Sequence, residues 1–263
     1  MDDAGRFGGK SSCGIAIMAK ASEPGRTKTR LVPPLTFDEA AAFNTAFLQD
    51  IAANVTLAGR HAPIAGYAAF APRGSEGFFA GILPPTTGLI DACVPNFGDC
   101  LLHTIDELLA RGHQSAVVLN SDSPTLPTGL LVETAEVLAR PGERAVLGPS
   151  TDGGYYLLGL KTAHRRLFED IAWSTENVAG QTLERAREIK LDVHVLPPWY
   201  DVDDGEGLRR LHHEVHQRSA NGPIDAREPN YPAATALLIG RLWGGTELAH
   251  RDESRIRVAA ANA

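Results

Sequence analysis

Ala116–Pro127, AVVLNSDSPTLP, is the stretch whose reading decides the fold. Ala116, Val117, Val118 and Leu119 form a short apolar run rich in β-branched residues, the pattern of a buried strand. The chain then turns abruptly polar at Asn120-Ser121-Asp122-Ser123 and stops at Pro124. A carboxylate just past the end of a buried strand sits where open α/β sheets present a ligand site. Aspartates in turns also do no more than satisfy loop amides. On this stretch alone Asp122 supports both roles.

Working outward, strands and helices alternate along the chain. Cys13–Ala19 (CGIAIMA), Ile64–Phe70, Leu89–Ala92, Ala145–Gly148, Tyr155–Leu160 and Asp192–Leu196 read as the other strands. Helices are expected from a capping box at Thr36 and Glu39, over Asp99–Ala110, Thr128–Ala139, Asn177–Ile189 and Glu206–Val215, and over Ala233–Trp243. Pro72–Asn96, rich in Gly and Pro, reads as irregular apart from its short strand. Such alternation predicts an α/β fold of three layers, with a mostly parallel central sheet between helices. Residues 1–12 read as a disordered leader, 13–247 as one domain and 248–263 as a disordered tail.

The 263 residues carry 43% hydrophobic and 22% charged side chains, ordinary for a globular chain with a sizeable core. A formal net charge of −7 and a pI near 5.7 argue against nucleic acid or an anionic membrane as partner. One basic loop still suffices for a small phosphorylated ligand. Cys13, Cys93 and Cys100 form neither an even disulfide framework nor a Cys-x-x-Cys pair, which points to the reducing cytoplasm. The polar, acidic start lacks a signal-peptide pattern, and no apolar run reaches membrane-spanning length.

Four loops carry groups suited to chemistry. In Lys20–Arg30, Gly25 permits a tight turn, while Lys20, Arg26, Lys28 and Arg30 concentrate positive charge. Lys28 and Arg30 can both reach an anion, one as a point charge and the other as a planar fork. The Walker spacing is missing, and most charge runs are simply solvated. In the second loop Asp122 is the candidate ligand for Mg²⁺ or Mn²⁺, which favour carboxylate oxygens. The third, Thr151-Asp152-Gly153-Gly154, allows a ligand close to the backbone, and it is also a hairpin turn signal. The fourth, Asp201-Val202-Asp203-Asp204, can complete a metal site. Asp203 with Glu206 three residues on is equally an N-cap pattern. No nucleophile-elbow serine and no Rossmann glycine fingerprint appears. Trp173 and Trp199 read as packing residues.

Taken jointly, five motifs resemble the bacterial DUF2064 family. They are Lys20…Pro24-Gly25-Arg26…Lys28-Thr29-Arg30-Leu31; Ser121-Asp122-Ser123-Pro124…Leu126-Pro127; Leu147-Gly148-Pro149…Asp152-Gly153-Gly154-Tyr155-Tyr156-Leu157; Trp173-Ser174-Thr175; and Asp201-Val202-Asp203. That family, the radical-SAM/selenodomain-associated transferase 1 group, lies in the nucleotide-diphospho-sugar transferase (GT-A) superfamily. Its relatives include phospholactate guanylyltransferases and molybdenum-cofactor nucleotidyltransferases. The resemblance covers about residues 13–212 and implies the GT-A fold. It implies a first loop that cradles phosphates, with Lys28 and Arg30 catalytic and Lys20, Gly25 and Arg26 binding nucleotide. It implies that Asp122 and Asp203 hold the metal. It gives binding roles to Ser121, Ser123, Asp152, Gly153, Gly154, Ser174 and Thr175. Departures occur at Ser22, where proline is usual, at Asn120, where glycine is frequent, and at Asp204-Gly205 and Gly207, where Thr-Pro and a final Asp are usual.

The expectation is a Mg²⁺- or Mn²⁺-dependent nucleotidyltransferase taking a nucleoside triphosphate and a small phosphorylated or carboxylated acceptor. A glycosyltransferase using a nucleotide-diphospho-sugar is the alternative, and a non-catalytic nucleotide-binding regulator is another. The expected partners exclude nucleic acid and membrane; a homodimer is compatible with the reading.

Overall fold

The computed structural model describes residues 12–217 and 229–243. The expected leader, apart from Ser12, and the expected tail lie outside the described residues. Within these residues seven strands build one sheet: β1 (Cys13–Lys20), β2 (Ile64–Ala71), β3 (Gly88–Asp91), β4 (Ser115–Leu119), β5 (Ala145–Pro149), β6 (Tyr155–Leu160) and β7 (Val193–Val195). Their order is β3-β2-β1-β4-β6-β5-β7. Every pairing is parallel except the two made by β6, which runs antiparallel to β4 and β5. The Asp-Gly turn at 152–153 therefore closes a true hairpin, as its sequence predicts.

Among the described residues seven α-helices accompany the sheet: α1 (Phe37–Ala58), α2 (Glu76–Ile82), α3 (Phe97–Ala110), α4 (Thr128–Ala139), α5 (Val178–Glu188), α6 (Gly205–Gln217) and α7 (Ala233–Trp243). Side chains alternate across a strand, so β1 serves two cores. Ile15 and Ile17 pack with Leu48 and Ile51 of α1 and Leu131 of α4. Ala16 packs with Leu101 and Ile105 of α3 and Ala179 of α5. Both faces of β4 are covered in the same way, which is why its sequence is apolar throughout rather than alternating. The result is the expected three-layer α/β/α arrangement.

The Thr36–Glu39 capping box forms in both directions, at 3.2 and 2.7 Å. A box of this kind contributes about 0.5–2 kcal/mol to its helix. Helix α2 departs from the expectation of irregular structure. Its seven residues, EGFFAGI, are too few to show a helical period, and two are glycines. Phe79, fully buried against Phe70, holds it in place. A third core joins α1, α6 and α7, where the Phe43 and Trp243 rings stack at 5.6 Å. Asp50 of α1 anchors the start of α7, accepting the amide hydrogens of Ala234 and Thr235 and the Thr235 hydroxyl. No helix among the described residues is long and apolar enough to cross a membrane.

Candidate functional site

The site forms where the C-terminal ends of β1 and β4 lie side by side. β1 ends at Lys20, and the loop that follows is fastened to α1. Asn44 donates to the Lys20 carbonyl at 3.0 Å and to Ser22 Oγ at 2.8 Å, and Thr45 donates to the same hydroxyl at 2.7 Å. The serine at position 22 thus has a local reason: its hydroxyl is the loop's anchor. Gly25 has φ +74°, and Lys28 itself adopts a left-handed φ of +50° at the start of a short 3-10 turn over Thr29–Leu31.

That conformation accompanies a Lys28 ammonium turned inward, with the side chain only 6% exposed. It lies 2.9 Å from Asp122 Oδ1 and 2.7 Å from Asp203 Oδ1, and it donates to the Val202 carbonyl at 2.8 Å. An ammonium has three hydrogens, so these acceptors use all of them. Burial alone would lower its pKa, but the Asp122 and Asp203 carboxylates more than reverse that and hold it above its ordinary value. Direct phosphate contact is expected of both Lys28 and Arg30. Lys28 is already engaged, so of the two only Arg30 has no protein partner among the described residues.

The late acidic loop is drawn to Asp122 by backbone: the Val202 amide donates to the Asp122 carbonyl at 2.8 Å. Val202 is fully buried and pins the loop into the third core. The cap of α6 falls on Asp204, whose Oδ1 accepts from the Glu206 and Gly207 amides at 3.0 and 2.9 Å. The N-cap pattern read at Asp203 is therefore displaced by one residue, and Asp203 is left facing Lys28. A side chain at Gly207 would press on the Asp201 carbonyl, 3.0 Å from where its Cβ would stand. Burial, reinforced by Asp203, Asp152 and Asp122, pushes the Asp201 carboxyl up to about 6.

On the far side, the β5–β6 turn brings in Asp152, whose Oδ1 accepts from the Gly154 amide at 3.0 Å. Gly153, at φ +92°, presses directly on the Glu176 carbonyl, where a Cβ would collide. Its own carbonyl accepts from the Ala179 amide at 3.0 Å, so this glycine docks the turn on the first turn of α5. Thr175 closes a local turn through a 2.7 Å bond from its hydroxyl to the Ala172 carbonyl.

Two clefts meet at Met18, Arg30, Asp122 and Asp203. The smaller, of about 370 Å³, is walled by the basic loop and contains Lys20, Arg26 and Ser121. The larger, of about 790 Å³, contains Asp152, Gly154, Ser174 and Thr175. Gly25, Ser123 and Gly153 line neither. Ser123 is buried and accepts from the Asn120 amide group at 3.2 Å. Sequence reasoning missed Asn120, Phe97 and Trp173 as walls of the larger cleft. The Phe97 and Trp173 rings meet edge to face at 5.2 Å across two segments far apart in sequence, and neither segment alone announces that contact.

The donor set suits a divalent cation. Asp122 and Asp203 each place a carboxylate oxygen within 3 Å of one ammonium nitrogen, so both already converge on a single positive charge. Mg²⁺ and Mn²⁺ need only one or two protein carboxylates beside phosphate and water. Among the described residues no group of three His, Cys, Asp or Glu side chains converges as a self-sufficient metal cage.

Comparisons with known proteins agree with this architecture. The model of DUF2064, "Uncharacterized protein conserved in bacteria", matches residues 54–175. A crystal structure described as a "putative nucleotide-diphospho-sugar transferase" from Desulfovibrio desulfuricans G20 is similar at 26% identity. It covers 89% of this chain and 96% of its own, with a TM-score of 0.73. A cytidylyltransferase from Leptospira borgpetersenii serovar Hardjo-bovis shares the fold at 10% identity, covering 88% and 94%, with a TM-score of 0.51. No curated protein matches the chain.

Proposed function

We propose that this chain, a DUF2064 match on the fold of the nucleotide-diphospho-sugar transferases, is a nucleotidyltransferase dependent on Mg²⁺ or Mn²⁺. It would take a nucleoside triphosphate in the smaller cleft and a small-molecule acceptor in the larger. The observation that carries this reading is the double contact of Lys28 with Asp122 and Asp203, which joins a basic loop to two carboxylates at the meeting of two clefts.

In this reading Arg30, at the boundary of both clefts, takes the phosphate charge through its planar fork. Lys20 and Arg26 extend the positive wall. Lys28 holds the first loop and the late acidic loop in register and offsets the repulsion between their carboxylates. Asp122 and Asp203 are the residues that would hold the cation. When bound, such a cation draws charge from phosphate oxygens and fixes their orientation. Positioning and charge stabilisation then supply most of the catalysis, as in other phosphoryl transfers.

Glycosyl transfer from a nucleotide-diphospho-sugar is the second reading, favoured by the description of the Desulfovibrio relative. The products separate the two: nucleotidyl transfer releases pyrophosphate, and glycosyl transfer releases a nucleoside diphosphate. A thermal-shift panel of nucleoside triphosphates and nucleotide-sugars, with and without Mn²⁺, identifies the donor. Binding to the folded state raises Tm by mass action. A Mn²⁺-dependent rise with a triphosphate, followed by pyrophosphate release, supports nucleotidyl transfer. No rise with any member of the panel overturns the proposed function.

A further inference from the structure

The two clefts differ sharply in charge. Lys20, Arg26, Lys28 and Arg30 line the smaller one against two carboxylates, Asp122 and Asp203. The larger reverses the balance: Asp152 and Glu176 join Asp122 and Asp203, the pair that Lys28 partly offsets from the other side, and among the described residues Arg30 at its edge is the lone cation in its wall. An anionic acceptor would enter against that field. The remaining wall is apolar and aromatic, with Phe97, 54% exposed, set against Trp173. Exposed rings beside a cleft are surface that a flat apolar body can cover.

Two buried polar atoms point to a ligand independently of the charge. The Tyr155 hydroxyl and Asn120 Oδ1 have no hydrogen-bond partner among the described residues, and both residues line this cleft. Burial pushes the Tyr155 phenol far up, so it stays a neutral donor. Buried polar atoms without partners are costly and call for an explanation. A donor and an acceptor on residues lining one cleft match a hydroxyl, which can give and receive a hydrogen bond, better than they match a carboxylate or phosphate, which only receives.

We propose that the larger cleft binds an acceptor alcohol with an apolar, ring-sized body and a neutral or cationic overall charge. This rests on the nucleotidyltransferase reading for its place in the reaction, and it differs from the phosphorylated or carboxylated acceptor that the sequence led us to expect. Transfer to such an alcohol forms a bond from its oxygen to the α-phosphorus and breaks the bond from that phosphorus to pyrophosphate. The hydroxyl proton passes to the Asp152 carboxylate in the cleft wall.

Three matched probes test the acceptor class on the full-length, metal-free protein: 1,4-benzenedimethanol, 4-(aminomethyl)benzyl alcohol and 4-(hydroxymethyl)benzoate. Each presents the same hydroxymethyl ring, and only the opposite substituent changes charge. Affinity is read by ligand-observed NMR titration at low salt. The neutral and cationic probes should bind at least about tenfold tighter than the carboxylate, a difference of about 1.4 kcal/mol. Trp173→Ala should weaken the neutral probe at least fivefold. Asp152→Asn, which keeps the oxygen that accepts from Gly154, should narrow the gap between cationic and anionic probes. A carboxylate that binds as tightly as the others, or three probes that all fail to bind, overturns the proposal. A nucleotide thermal shift on the same preparation keeps the two readings apart. A shift with the wrong probe order removes only the acceptor class; the right order without a shift removes only the donor.

Discussion

The Asp204 carboxylate receives the amide hydrogen of Gly207 at 2.9 Å and starts α6 without help from Asp203. Its neighbour is left pointing at Lys28, 2.7 Å away. One residue caps the helix, and the next serves the site.

This division makes two substitutions behave oppositely. Asp204→Ala removes the cap and should cost about 0.5–2 kcal/mol of stability, while the rise in Tm that nucleotide and Mn²⁺ give together is unchanged. Asp203→Asn should leave apo stability near wild type, because Lys28 keeps Asp122 and the Val202 carbonyl as partners. The same variant should lose most of the Mn²⁺-dependent rise. Paired melting curves of both variants, with and without metal, check the assignment. A full Mn²⁺ response in Asp203→Asn would remove Asp203 from the metal site.

Lys28→Met tests the bridge itself. The substitution leaves Asp122 and Asp203 facing each other and a buried carbonyl unpaired. Removing one partner from a buried ionic cluster costs about 3–5 kcal/mol, and the partial exposure of both carboxylates places the expected loss at or below the lower end of that range. A divalent cation can replace the missing charge. Mn²⁺ alone should therefore stabilise Lys28→Met more than it stabilises wild type. An equal or smaller metal response would mean that the two carboxylates do not share a cation.

Much of this geometry was legible in the sequence, for physical reasons that differ by element. β4 declared itself because a strand covered on both faces must be apolar at every position, and Asp122 stood out because it follows that strand directly. The hairpin at Asp152-Gly153 followed from turn chemistry, and the capping box at Thr36 from side-chain reach. Helix α2 stayed hidden because seven residues with two glycines carry no period. The cap of α6 was displaced because both Asp203 and Asp204 satisfy the local pattern; what separates them is Lys28, 175 residues away in sequence. The Phe97–Trp173 wall was hidden for the same reason, since it exists only after β3, α3 and the segment before α5 have assembled.

Arg30→Ala addresses the phosphates. Arg30 is exposed and makes no bond to the described protein, so the fold should not register its loss. A hydrogen bond to a charged group contributes roughly 1.5–3 kcal/mol, which predicts a loss of about tenfold or more in triphosphate affinity. The corresponding nucleoside should lose little. Titration calorimetry with the pair of ligands decides it, and equal losses for both would move Arg30 from the phosphates to the base or sugar.

The last prediction concerns Asp50 and the attachment of α7. Burial pushes the Asp50 carboxyl up to about 6, against the pull of its hydrogen bonds from Thr235 and Ala234. In the unfolded chain the group titrates near 3.8. Between those two values the folded state holds more protons than the unfolded one, so stability falls as pH rises through the interval and is regained on acidification. Asp50→Asn removes the titration. It also turns one oxygen into an amide NH2 facing donors, which should cost about 1–3 kcal/mol at neutral pH. The stability gap between wild type and Asp50→Asn should therefore widen as the pH is lowered from 7 to 4.5. Urea unfolding of both proteins across that range measures it. A constant gap would mean that Asp50 stays charged throughout, with its three hydrogen bonds to the start of α7 outweighing the burial of its charge.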